Sequence, residues 1–390
     1  VSRGTRARAR HRVRERGRTG RVGGMTTPAG DPGSPPDPAP GPRVLVIGAT
    51  GYIGSRLVPR LLEDGARVSV LARTPARLDH VPWRDRVTVH QGGLGDEQAM
   101  LDALRGVDVA CHLVHSMGHS ADFETEERET TEAFVRAVEA AGVGRIVHLS
   151  GLHPADESDL SPHLRSRVEV GRIMLASTVP ALVIQAGVVI GSGSASFEMI
   201  RHLTTRLPGM VTPKWVSNRI QPIAVRDVVH YLAAATTCPL EGDLADGRTI
   251  DVGGPDVLTS GQMMQIYAEE AGLHRRLMVP VPVLTPKLSS LWMGLVTPLE
   301  PGLARPLVES LRCEAIVHVD DADEGLGPPP GGRTPYRQAL REALRVPHGP
   351  ARPAQWAGAD PLGDPARLLP SDADWAGVRP PTVWRARPAR

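Results

Sequence analysis

In the run Val44-Leu-Val-Ile-Gly48-Ala-Thr-Gly51-Tyr-Ile-Gly54, four apolar residues lead straight into a turn with a glycine at every third position. The turn leads straight into Ser55-Arg-Leu-Val-Pro-Arg-Leu-Leu62, an amphipathic pattern. Phosphate binding is the chemistry this order supports. Gly48 lets the chain reverse at the end of a buried strand, and Gly51 removes the side chain that would block a pyrophosphate. Gly54 lets the following helix pack closely on the strand. The helix start then offers N–H donors and the positive end of its dipole to the phosphates. Glycines at this spacing are weak evidence alone, but the strand–turn–helix order around them points to a dinucleotide. Arg73 stands 19 residues beyond Gly54, at the end of the next apolar run, with no acid before Asp79. An acid there would bind a ribose diol, whereas an arginine accommodates a 2′-phosphate. Arg73, with Arg77 in support, therefore favours NADP(H) over NAD(H).

These residues need a scaffold. Short apolar strands are read at 43–47, 67–72, 87–90, 107–114, 145–150 and 181–185, with helices at 54–64, 96–104, 124–141 and 162–177 between them. Strands alternating with helices at this spacing call for an α/β fold, a Rossmann-type doubly wound parallel sheet with right-handed crossovers. After 190 the pattern loosens. A helix over 197–207, an extended piece over 220–225, a helix over 227–236 capped by Asp227, a strand at 249–252 and a helix over 259–271 are expected to form a smaller, substrate-facing C-terminal lobe. A short helical pattern follows at 336–344. The division is 1–42 disordered, 43–190 nucleotide-binding, 191–346 the lobe that completes the fold, and 347–390 a Pro/Arg-rich disordered tail.

Composition narrows the class. The 390 residues carry a net charge of +2, yet residues 1–24 hold nine arginines against one acid (Glu15), leaving −6 for the remainder. That arm reads as translated upstream sequence ahead of Met25. Its rival reading, a basic arm for nucleic acid or anionic lipid, finds no aromatics and no periodic apolar face to support it, and no nucleic-acid partner is expected. Residues 26–42 are a Pro/Gly linker. Cys111, Cys238 and Cys313 are far apart in the chain, which fits a reducing compartment and speaks against a zinc site or a disulfide framework; no metal is expected. The apolar stretch 279–299 contains Lys287 and prolines 280, 282, 286 and 298, a poor membrane span. A cytoplasmic protein follows. Trp292 and Met293 in that stretch read either as an apolar wall for a hydrophobic substrate or as ordinary core.

The motifs together resemble the extended and atypical short-chain dehydrogenases/reductases. Gly92-Gly-Leu-Gly-Asp96 is similar to the family's Gly-Asp-Leu-x-Asp adenine loop, with Gly93 in place of the Asp. His148-Leu-Ser150 resembles the end of strand five. Ala186-Gly-Val-Val-Ile-Gly191 resembles the Pro-Gly-x-Val-x-Gly segment after strand six. Ile220–Val229 and Asp251-Val-Gly-Gly-Pro255 fit the same family. Leu113-Val-His-Ser-Met-Gly118, Asp122-Phe123 and Ser161–Arg167 point to its NmrA-like branch, which includes bacterial proteins related to the Rossmann accessory subunit of respiratory complex I. The resemblance implies a cofactor held by Gly48, Thr50, Gly51, Tyr52, Ile53, Gly54, Arg73 and the Leu94 backbone. Val114, His115, Ala186 and Gly187 would lie beside the nicotinamide.

Active relatives use a Tyr-x-x-x-Lys pair on the helix after strand five, together with a Ser at that strand's end. Here Ser150 is retained, but the register reads His163-Leu-Arg-Ser-Arg167, and Lys214 and Lys287 are the chain's two lysines. His163 is a candidate acid, because an unperturbed imidazole titrates near 6.5; the rival reading is a partly exposed histidine at a helix start. Arg167 could hold ribose hydroxyls as a permanent cation. Two functions stand nearly level. One is an oxidoreductase passing hydride from NADP(H) to a carbonyl, quinone or other small molecule. The other is a non-catalytic NADP(H)-binding sensor or assembly factor acting through a protein partner. An isomerase or epimerase is disfavoured, since it needs the same missing pair.

Overall fold

The computed structural model describes residues 41–79, 81–114, 123–281 and 312–345. Seven strands make one parallel sheet: β1 (Arg43–Ile47), β2 (Arg67–Ala72), β3 (Thr88–Gln91), β4 (Val109–His112), β5 (Arg145–Gly151), β6 (Ala181–Ala186) and, from far later, β11 (Gly247–Val252). Their order is β11-β6-β5-β4-β1-β2-β3, so the direction of winding reverses between β1 and β4. In open sheets of this kind the crevice at the carboxyl ends of the strands beside that reversal is where ligands bind.

Alternation along β1 shows how the sheet is buried on both sides. Val44 and Val46 join the core formed with α1 (Gly54–Glu63) and α6 (Val225–Thr237). Leu45 and Ile47 face the other way, into a core with Met100 of α2 (Glu97–Leu104), Phe134 and Val138 of α3 (Phe123–Ala141) and Met174 of α4 (Pro162–Leu175). Helix starts follow local chemistry. Asp96 caps α2 by accepting from the Ala99 N–H at 3.1 Å, and Ser161 caps α4 ahead of Pro162.

A second core gathers Phe197, Met263, Tyr267 and Leu340 from α5 (Ala195–Arg206), α7 (Ser260–Glu270) and α9 (Tyr336–Arg345), while the short α8 (Ala322–Leu326) joins the core beside α6. Short strand pairs complete it: β7 (Val189–Ile190) with β10 (Ile223–Ala224), β8 (Gly209–Pro213) with β13 (Leu277–Val281), and β9 (Arg219–Ile220) with β12 (Leu258–Thr259). This is the smaller C-terminal lobe. It is not continuous in sequence, because α6 and β11 return to the main sheet, where β11 pairs with β6 from Gly247↔Ala181 to Val252↔Ala186.

Helix α6 begins two residues earlier than expected, and its cap is Ala224 rather than Asp227. Asp227 is fully buried and accepts from the Thr334 N–H (2.7 Å) and hydroxyl (3.0 Å), tying α6 to the segment that leads into α9. Burial pushes its carboxyl above the usual range, against the pull of those two bonds. No helix among the described residues is long and apolar enough to cross a membrane. The arm before residue 41, the tail beyond 345 and residues 282–299 of the apolar stretch, with Trp292 and Met293, lie outside the described residues.

Candidate functional site

Each glycine of the first turn has its own steric reason. Gly48 has φ of +94°, a conformation costly for other residues, and a Cβ there would meet Leu113 and the Val114 side chain at 3.1 Å. This contact brings Val114 from the end of β4 against the turn. A Cβ on Gly54 would lie 2.2 Å from the Gly48 carbonyl oxygen, so the close fit of helix on turn needs glycine. Gly51 is exposed, with the Gly48 carbonyl oxygen at 3.2 Å as the one near neighbour of a Cβ. The first turn of α1, with Ile53 at its cap position, carries no side-chain cap. The Ser55 and Arg56 N–H groups already donate to the Gly51 and Ile53 carbonyls at 3.0 Å each, so an anion would be met by the amides nearer the glycines, where no side chain caps the helix. Thr50, Tyr52 and Ile53 are half-buried around it. The Arg56 guanidinium lies 3.8 Å above the Tyr52 ring and donates to the Tyr52 carbonyl at 2.8 Å, fixing the turn from beneath.

Arg73 projects from the end of β2 and is exposed; it makes no ion pair with any described residue. Its stem crosses Gly93 in the loop after β3, where a Cβ would sit 3.3 Å from Cγ and 3.4 Å from Cδ. Leu94 follows on the same loop, packed at the edge of the α2–α3 core. The turn, Arg73 and Leu94 thus share the carboxyl ends of β1, β2 and β3.

The other half lies over β4 and β5. Ser150 is buried on β5, in register with Gln185 of β6, which is in turn in register with Asp251 of β11. Arg167 reaches under this edge from α4, its Nη1 3.1 Å from where a Gly151 Cβ would stand. Burial lowers the Arg167 pKa while the Glu127 carboxylate opposes that fall. Its Nε is buried and finds no hydrogen-bond partner among the described residues. Glu127 accepts a short hydrogen bond from the Ser166 hydroxyl, which locks α3 to α4.

His163 departs from expectation. It is buried, and desolvation together with the nearby Arg167 charge lowers its pKa to about 3. An imidazole held neutral in this way keeps one ring N–H to donate but is a much weaker acid near pH 7 than an imidazolium. Its burial contradicts the rival picture of a partly exposed histidine. Ala186 is buried at the end of β6. A Cβ on Gly187 would fall 1.9 Å from the Gln221 carbonyl oxygen, so close packing of the chain explains that glycine. His115 lies outside the described residues.

Two groups escaped the sequence reading. His112 and His148 occupy facing positions on β4 and β5, both buried, with the Phe134 ring beside His112. His148 Nδ1 lies 3.0 Å from the His112 carbonyl and 3.1 Å from His112 Nδ1, which assigns the proton to His148 Nδ1. Burial and the neighbouring Arg167 push His148 to about 4, and burial together with the nearby His148 pushes His112 well below its ordinary value. Farther along, His318 donates through its backbone N–H (2.9 Å) and Nδ1 (3.2 Å) to Asp251. His153 gives its Nδ1 proton to the Pro154 carbonyl and accepts from the Gln185 amide at 3.1 Å. A polar floor, Ser150, Gln185, His153, Asp251 and His318, therefore crosses the ends of three strands. The only visible hint was strand-end polarity, because His318 arrives from a segment remote in sequence. Among the described residues no group of three or more side chains is arranged to ligate a metal.

Comparison with known proteins places this geometry. A family model described as NAD(P)H-binding matches residues 48–182. Ceramide reductase of Caulobacter vibrioides is 30% identical over 210 residues, which are 53% of this chain and 65% of that protein. The chain thus spans just under two thirds of that reductase. Mouse NADH dehydrogenase [ubiquinone] 1 alpha subcomplex subunit 9, mitochondrial, is 24% identical over 311 residues, covering 77% of this chain and 79% of that one. The crystal structure of Citrobacter sp. triphenylmethane reductase complexed with NADP(H) superposes with a TM-score of 0.60 at 18% identity, over 77% of this chain and all of that one. Residues 48–182 therefore match an NAD(P)H-binding family model, and the sheet that carries them has the Rossmann fold of NAD(P)-binding reductase structures.

Proposed function

We propose that this chain is an NADP(H)-dependent oxidoreductase. The observation that carries the reading is the turn 48–54, where an exposed Gly51 and an uncapped α1 start leave a cradle that a Cβ would fill. Gly48, Thr50, Gly51, Tyr52, Ile53 and Gly54 would hold the pyrophosphate. Arg73 would read the 2′-phosphate and the Leu94 backbone the adenine. Val114, His115, Ala186 and Gly187 would flank the nicotinamide. When bound, the cofactor supplies a hydride to an acceptor carbon, leaving its nicotinamide oxidised. The Ser150 hydroxyl would hydrogen-bond a carbonyl or quinone oxygen. Arg167 supplies positive charge beneath it, from which negative charge on that oxygen gains stability. With His163 neutral, the proton that completes the reduction comes from water at Ser150. The polar floor toward His318 would receive the far end of the substrate. Reductases stand among the relatives in sequence and structure, which supports the class without naming the acceptor. Three cysteines without disulfides suit a reducing, cytoplasmic setting.

A second reading rests on one observation: no described side chain replaces the missing tyrosine in its register, His163 being buried and neutral. The chain would then bind NADP(H) as a sensor or assembly factor. Titration with NADPH and NADH, followed by a screen of quinones and aldehydes for NADPH oxidation, separates the two. Turnover lost in Ser150→Ala supports the enzyme; tight NADPH binding without turnover on any acceptor supports the sensor. Arg73→Ala should weaken NADPH at least tenfold and leave NADH within about threefold, a loss near 1.4 kcal/mol. Equal losses for both would remove the 2′-phosphate assignment.

A further inference from the structure

The resemblance puts an acid where this chain has Gly93, and in the structure that absence has a geometric partner. Gly93 lies directly under the Arg73 stem, where a Cβ would stand 3.3 and 3.4 Å from Cγ and Cδ and crowd the stem by a few tenths of an ångström. Its φ is not in the left-handed region, so backbone conformation alone does not demand glycine. The nearest acid on the same loop is already engaged: Asp96 accepts from the Ala99 N–H and caps α2. Arg73 consequently keeps its charge without an ion pair among the described residues.

We infer that Gly93 is a specificity-determining residue: it lets Arg73 lie across the adenine loop with its charge uncompensated, available to a 2′-phosphate. A carboxylate at 93 would act twice. Its Cβ would crowd the stem slightly, and its charge would pair with the guanidinium that an incoming phosphate needs. Opposite charges within about 4–6 Å compensate each other, and a phosphate must then compete for the cation. An alanine would act only through that slight crowding. Gly93→Asp should therefore cost more than Gly93→Ala, and both costs should fall on the nucleotide carrying the extra phosphate.

This inference rests on the proposed role of Arg73, and a double-mutant cycle keeps the two distinguishable. Dissociation constants for NADPH and NADH would be measured by fluorescence titration on the full chain and on Gly93→Ala, Gly93→Asp, Arg73→Ala and the Arg73→Ala/Gly93→Asp double variant. Thermal melts would confirm that each is folded. Gly93→Asp is expected to weaken NADPH about tenfold or more and NADH less than threefold, with Gly93→Ala between it and the parent. In the Arg73→Ala background Gly93→Asp should change NADPH less than threefold. Equal loss for both nucleotides in Gly93→Asp, or an undiminished loss in the Arg73→Ala background, would overturn the inference while leaving Arg73 in place. Equal loss for both nucleotides in Arg73→Ala would overturn the role of Arg73 and this inference with it.

Discussion

The two halves of the site are built from different materials. The half over β1, β2 and β3 is mostly backbone: three glycines, an uncapped helix start and one exposed arginine. The half over β4 and β5 is a set of side chains sunk below the strands, in which Arg167, Glu127, His112, His148 and His163 share one buried region. A backbone cradle tolerates change in whatever surrounds it, provided the glycines stay. A buried polar cluster ties its charges to the stability of the sheet, so altering its chemistry also alters the fold. The nucleotide turn can thus be altered at the exposed Gly51 with little effect on the sheet, whereas His163 and Arg167 cannot be changed without disturbing the buried cluster.

The most severe way to test the contrast is Gly54→Ala. The added methyl would stand 2.2 Å from the Gly48 carbonyl oxygen, so α1 must move away from β1. Nucleotide binding should disappear in titration, with stability lowered by about 1–3 kcal/mol in urea denaturation. Unchanged NADPH affinity would show that the turn does not depend on that close fit. Next in size is Arg167→Ala, which leaves Glu127 without its opposing charge; about 3 kcal/mol should be lost, and Arg167→Lys should recover most of it. A loss below about 0.5 kcal/mol in Arg167→Ala would mean the cluster is not structural.

Acid should injure the second half alone. His148 and His163 titrate at about 4 and about 3 when folded, below the value near 6.5 of an unfolded chain. The unfolded chain therefore binds more protons below pH 6.5, and stability should fall from there down to about pH 3. At pH 5 this is worth roughly 2 kcal/mol for each histidine. Urea midpoints at pH 7.5 and pH 5 should show the drop, and His163→Leu should reduce it. A flat profile would mean that these rings reach water.

How much was legible follows the same division. The turn, Arg73 and the seven strands depend on neighbours in sequence, so apolar runs and glycine spacing reveal them. Even β2 (Arg67–Ala72) matches its expected bounds. The return of β11 to the sheet edge was not legible, because pairing of residues 247–252 with 181–186 is a long-range choice made by packing. Asp227 was misread as a cap because its partner, Thr334, lies over a hundred residues away. His112 and His148 look like ordinary strand residues until β4 and β5 are laid side by side.

The central claim is that the 48–54 turn is a nucleotide cradle that works apart from the chemistry beside it. Gly51 tests it most directly, because it is exposed and its neighbourhood is open. NADPH fluorescence titration of the full chain and of Gly51→Val would be run beside thermal melts of both. Saturable NADPH binding, tighter than NADH, in the parent and lost by a hundredfold or more in a variant that still melts within a few degrees of it is the predicted result. Absence of binding to either nucleotide at millimolar concentration in the parent, or undiminished binding in Gly51→Val, would contradict the account.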